Sequence, residues 1–207
     1  MHLTPITTPR DGNTIADLKN FVVAWRAPAS AFEAALEARP LAPQKRSAAG
    51  NINIAGTPYW SESRLLCRNH PSFFDEVEPG VRELVRFFVA DLDIMTYTSC
   101  EGHAYPGETR FDPRHIGLLP RSRAEKEALV RFVESLPPSA SLVPGGPISL
   151  GYMDHVADTE IGKVPVIDIF LLPKPDLTSE VYFAALPAAY DDFIQALKAG
   201  RHTYQLV

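Results

Sequence analysis

The chain has 207 residues, 45% of them hydrophobic and 22% charged, and its 20 Lys and Arg against 25 Asp and Glu give a formal net charge of -5. That balance excludes a disordered chain, a coiled coil and a collagen-like repeat. It also argues against nucleic acid and anionic membranes as partners, because both are held by excess positive charge.

The length suits one large domain with a sizeable core. Residues 1–207 are read as a single domain, with a less regular part over 1–60 carrying one or two helices and an α+β core over 79–200. The stretch 1–10 has no apolar run of signal-peptide type, and no window approaches the apolar length of a membrane span. Cys67 and Cys100 are the two cysteines, too few for a disulfide framework, so a reducing, cytoplasmic location is expected.

Taken in chain order, Thr14–Trp25 puts Ile15, Leu18, Val22 and Trp25 at helical spacing, although Phe21-Val22-Val23 suits a strand equally well. Ser30-Ala31-Phe32-Glu33 reads as a capping box that opens a helix ended by Pro40. Residues 40–60 read as irregular apart from a short strand at Asn51–Ala55.

From Pro79 the pattern sharpens. Val81, Leu84, Val85, Phe88 and Leu92 form the apolar stripe of a helix. The β-prone run Ile94–Thr98 leads into Ser99-Cys100-Glu101-Gly102-His103, and a strand is expected at His115–Leu119. Ser122-Arg123-Ala124-Glu125 caps a helix with the apolar face Leu129, Phe132, Val133 and Leu136. Strands at Ile148–Met153 and Val164–Leu172 flank a hairpin turn at Gly162. A last helix carries Tyr190, Phe193, Ile194 and Leu197, with Gly200 at its stop. The order helix-strand-strand-helix-strand-strand-helix predicts an α+β fold, a mostly antiparallel sheet of four or more strands with helices packed on one face.

Both cysteines are followed by a histidine three residues on, as Cys67-Arg-Asn-His70 and Cys100-Glu-Gly-His103. A thiolate and an imidazole on one tight turn can reach the same ion, and two such turns complete a zinc tetrahedron. Cys67, His70, Cys100, His103 and His115 are therefore the metal-ligand candidates, with zinc or another divalent metal as the cofactor. Against this, Cys67 also fits an inert buried thiol and His70 a turn before Pro71.

The second pair stands where a strand runs into a glycine-containing loop, the usual place for a sheet to present reactive groups. Cys100 suits a nucleophile or a metal ligand, with His103 beside it and Glu101 as acid–base candidate. Asp168 interrupts an apolar strand, and a buried carboxylate needs a partner, so it joins the catalytic candidates. Asp154-His155 is a further acid–imidazole pair.

The stretch from Val81 to His103, ending Thr98-Ser99-Cys100-Glu101-Gly102-His103, resembles the Ser-Ser-Cys-Ser-Gly-Arg loop of the wybutosine-synthesis methyltransferase family, which also follows a helix and a strand. The resemblance implies S-adenosylmethionine-dependent methyl transfer to a tRNA base. Ser99, Cys100 and Gly102 are the matching positions, and Ser99 and Gly102 the cofactor-binding candidates. His103 stands where that family has Arg, and Thr98 where it has the first Ser.

The residues thus favour an enzyme acting on a small molecule through a Cys/His loop at the strand ends, thiol- or metal-dependent. The alternatives are a structural zinc domain built on two C-x-x-H pairs, a methyltransferase, and a non-catalytic binding module.

Overall fold

The computed structural model describes residues 3–7, 14–15, 17–26, 28, 44–58, 68–70, 72–137, 139–143 and 145–204. The helix expected over Ser30–Pro40 lies outside these, as does Cys67.

Strands β1 (Leu3–Pro5) and β2 (Thr14–Ile15) precede helix α1 (Leu18–Arg26). The ambiguous Thr14–Trp25 segment is therefore two residues of strand and then a helix. Leu18, Phe21, Ala24 and Trp25 form the helix's buried face. Its first turn is capped from afar: the Glu160 carboxylate accepts from the Leu18 and Lys19 amides at 3.0 and 2.6 Å, which suits the positive end of a helix. A small hairpin follows, β3 (Lys45–Arg46) against β4 (Ile52–Asn53).

Helix α2 (Arg82–Arg86) passes directly into a π turn over Phe87–Asp91, with the Leu92 amide reaching Phe87 O at 3.2 Å. The wider turn lets three consecutive apolar residues, Phe87, Phe88 and Val89, all be buried. Strand β5 (Met95–Cys100) leads to a second small hairpin, β6 (His103–Ala104) with β7 (Phe111–Asp112), and then β8 (His115–Leu119). In α3 (Arg123–Ser135) the Ser122 hydroxyl accepts from the Glu125 amide at 3.1 Å, the bond that the capping box predicts.

The long hairpin of β9 (Ile148–Thr159) and β10 (Gly162–Pro173) exceeds the strands expected from pattern alone. Helix α4 (Ser179–Gly200) ends at Gly200 as expected, carries Tyr190, Phe193, Ile194 and Leu197 on its buried face, and runs through Pro187. An interior proline costs about 3 kcal/mol. Here it is offset by a buried face running from Tyr182 through Leu186, Phe193 and Ile194 to Leu197.

The main sheet has the order β1-β9-β10-β8-β5, with β2 also on β9. β1 and β2 pair with β9 in parallel, and every other pairing in it is antiparallel. The protein is an α+β fold. Period-two alternation on β10 divides the sheet into two faces. Ile167, Ile169 and Leu171 lie opposite Leu118, Ile116 and Leu150 and join the core with side chains of α2, α3 and α4. Val166, Asp168 and Phe170 take the other face, across from Gly117 and His115. Among the described residues, no helix is long and apolar enough to cross a membrane.

Candidate metal centre

Cys100 is the last residue of β5 and lies directly opposite His115, the first of β8. The chain then turns at Glu101-Gly102. Gly102 has φ +90°, and a Cβ there would lie 3.2 Å from the Arg114 amide nitrogen and 3.3 Å from Asp112 O. Only glycine meets both demands without strain. The turn directs the Gly102 N–H back at the Cys100 sulfur, 3.4 Å away, and starts β6 so that the His103 ring comes in beside the thiol.

His103 is 2% exposed. Its Nδ1 donates to the carbonyl of Ala49 at 2.9 Å, since a carbonyl can only accept. That bond fixes the ring and leaves Nε2 facing Glu78, 3.1 and 3.2 Å from its two carboxylate oxygens. Glu78, itself buried, accepts in addition from the Ile52 amide at 3.1 Å and the Glu101 amide at 2.7 Å. A carboxylate buried in this way needs those donors, because desolvation otherwise costs several kcal/mol.

One ligand atom each from Glu78, Cys100 and His103 lie within 4.8 Å of one another, and this group can hold a metal ion. Glu78 carries no motif signal: it is one of 25 acids, and only the fold brings β4 and the turn after β5 around it.

The electrostatics follow from the packing. Burial alone would lower the His103 pKa, but hydrogen bonds to Cys100 and Glu78, with their negative charges, push it up to about 10. Burial alone would raise the Cys100 thiol, yet hydrogen bonds from His103 and His115 and the charge on His115 hold it below its ordinary value. The centre thus favours a thiolate beside an imidazolium.

The other expected site residues are distributed as follows. His115 flanks the Cys100 sulfur from the neighbouring strand, with Nδ1 donating to Pro113 O at 3.3 Å and its ring 5.2 Å from that of Phe170. It is not one of the three clustered ligands. Glu101 acts as a bracket: Oε1 accepts from Arg46 at 2.6 Å, Oε2 from the Gly80 amide at 2.7 Å, and its carbonyl from Arg114 Nε at 2.9 Å. Ser99 is half-buried on β5 one residue before the thiol. His70 is buried in a turn, where its Nδ1 accepts from the Ser72 amide at 3.0 Å, and it lies outside the cluster.

Asp168 is fully buried in a separate network, where it accepts from the Tyr97 hydroxyl at 2.5 Å and from His155 Nε2 at 3.1 Å. Asp154, on the opposite face from its neighbour His155, pairs with Lys126 instead.

No protein-family model, curated protein or solved structure matches this chain. The chemistry of its side chains therefore carries the functional argument alone.

Beside the centre lies an open cleft of about 410 Å³, lined by Arg46, the β3–β4 turn, Gly102, Ala104 and Phe183, with His103 in its wall. The β3–β4 hairpin serves the centre at three points: Arg46 holds Glu101, Ala49 O holds His103, and the Ile52 amide holds Glu78.

Proposed function

We propose that Glu78, Cys100 and His103 bind a divalent metal, zinc by the chemistry of the set, and that the protein is a metal-dependent enzyme acting on a small molecule. The observation that carries this reading is the convergence of one oxygen, one sulfur and one nitrogen within 4.8 Å. His103 Nδ1 is tied to Ala49 O, and Nε2 meets the acid directly. A backbone carbonyl on the far nitrogen is how metal-binding histidines are commonly oriented.

Mixed nitrogen, sulfur and oxygen donors suit zinc, and three protein ligands among the described residues would leave a fourth position open, as in a catalytic rather than a closed structural site. Bound there, zinc supplies a water acidified to near neutrality and polarises a substrate carbonyl or phosphoryl oxygen. The chain's own groups do the rest. The Ile52 and Glu101 amides orient Glu78, the Gly102 N–H and His115 steady the thiolate, and the proton on His103 Nε2 occupies the place that a cation takes over.

The metal-free thiol reading is supported by the direct His103–Glu78 hydrogen bond and by the His103 and His115 bonds to Cys100. It makes Cys100 a nucleophile with His103 as its proton partner.

Elemental analysis of the purified chain separates these readings. The metal-enzyme reading predicts one zinc per chain, lost in Cys100→Ser, His103→Ala and Glu78→Gln and retained in Cys67→Ser. Zinc that also depends on Cys67 supports the closed structural site instead. A metal-free protein whose Cys100 reacts rapidly with iodoacetamide at neutral pH supports the thiol reading.

A further inference from the structure

Resting on the metal-enzyme reading, we infer that the cleft beside His103 is the substrate pocket and that it selects a small, planar, anionic molecule. Its volume of about 410 Å³ stands near the lower end of the range for small-molecule sites. The lining has three components that point one way. Half of the lining, Ala48, Ala49, Gly50, Gly102 and Ala104, carries little or no side chain, with Ser47 and Glu101 beside it, so a flat ligand can approach the His103 edge closely.

Phe183, in the first turns of α4, forms a wall. Its ring is anchored edge-on by Tyr182 at 5.0 Å and Phe111 at 5.8 Å and is pre-set to take a second ring. Arg46 stands at the mouth with 46% of its side chain exposed, donating from Nη2 to Glu101 Oε1. A guanidinium has five N–H donors, so this bond leaves it able to grip a carboxylate or phosphate. The Glu101 carboxylate, bound at both oxygens by Arg46 and the Gly80 amide, keeps Arg46 over the cleft and does not itself compete for the ligand's cationic groups.

Three hydroxamates, whose common head binds an open zinc position, test this on the zinc-loaded full chain by isothermal titration: acetohydroxamate, benzohydroxamate and 4-carboxybenzohydroxamate. Affinity should rise about tenfold from the first to the second, as expected for a ring packed on a ring. It should rise about threefold more with the added carboxylate, the scale of a partly exposed ion pair. Phe183→Leu should cancel the first gain and leave the second, and Arg46→Ala should do the reverse. Three equal affinities, unmoved by either substitution, overturn the pocket assignment while leaving the metal centre intact. A chain that takes up no zinc and binds none of the three overturns the metal-enzyme reading itself.

Discussion

Among the described residues, two clusters pair a buried acid with an imidazole, and they are built differently. At the end of β5, Glu78, Cys100 and His103 turn unlike donor atoms toward one point beside a cleft. In the middle of the sheet, Asp168 receives Tyr97 and His155, one on each carboxylate oxygen. In the second cluster both donors meet the carboxylate directly, the Tyr97 hydroxyl at 2.5 Å and His155 Nε2 at 3.1 Å. The neighbouring strand packs tightly against it: a Cβ on Gly117 would lie 2.7 Å from Asp168 Oδ1 and 2.5 Å from the Tyr97 ring. A bulge in β5 at Tyr97 accompanies this close approach. What sets the first cluster apart is a sulfur donor beside the acid and the imidazole, and a cleft with His103 in its wall.

The largest effect that this contrast predicts is on folding. Asp168→Ala strips a fully buried acid from its two hydrogen-bond partners, Tyr97 and His155, and should cost about 2–5 kcal/mol in urea unfolding, as removing the shared acceptor of two such bonds does. Zinc content of the folded fraction should stay unchanged. Loss of zinc with stability intact would mean that the two clusters are one functional unit and would break the comparison.

A second effect concerns pH and removes no side chain, since His103 keeps its bond to Ala49 O throughout. In zinc-free protein the folded-state pKa of His103 is raised from 6.5 to about 10. Its contribution to stability is therefore complete below pH 6.5 and disappears as pH rises through about 10. Urea midpoints measured across that window should fall in the zinc-free chain. In the zinc-loaded chain the metal replaces the Nε2 proton, and this component of the fall should vanish. A fall of the same size in both forms would place the proton, and not a metal, permanently at the centre.

Much of the architecture was legible from residues. The Ser122 cap, the His115–Leu119 strand and the paired arrival of strands after Pro79 all stand in the structure, because local chemistry and tertiary packing agree there. Where they diverge, pattern fell short. Pro187 sits inside α4, where the buried apolar face of the helix holds it. The parallel pairing of β1 and β2 with β9 leaves no local trace in strands of three and two residues.

The site divides in the same way. The nearness of Cys100 and His103 follows from one short glycine turn and can be read from spacing. That of His115 needs the β5–β8 register, and that of Glu78 needs three separate segments to meet. Asp168 was legible as a buried acid in need of a partner, but its partners, Tyr97 and His155, lie on two other strands.

X-ray absorption at the zinc edge of the loaded protein tests the central claim most directly, because sulfur and lighter donors separate by distance. The account predicts a single sulfur at about 2.3 Å, with the remaining donors nitrogen or oxygen at about 2.0–2.2 Å. Two sulfurs would bring Cys67 into the shell and convert the centre into a closed structural site, and a shell with no sulfur would remove Cys100 from it altogether.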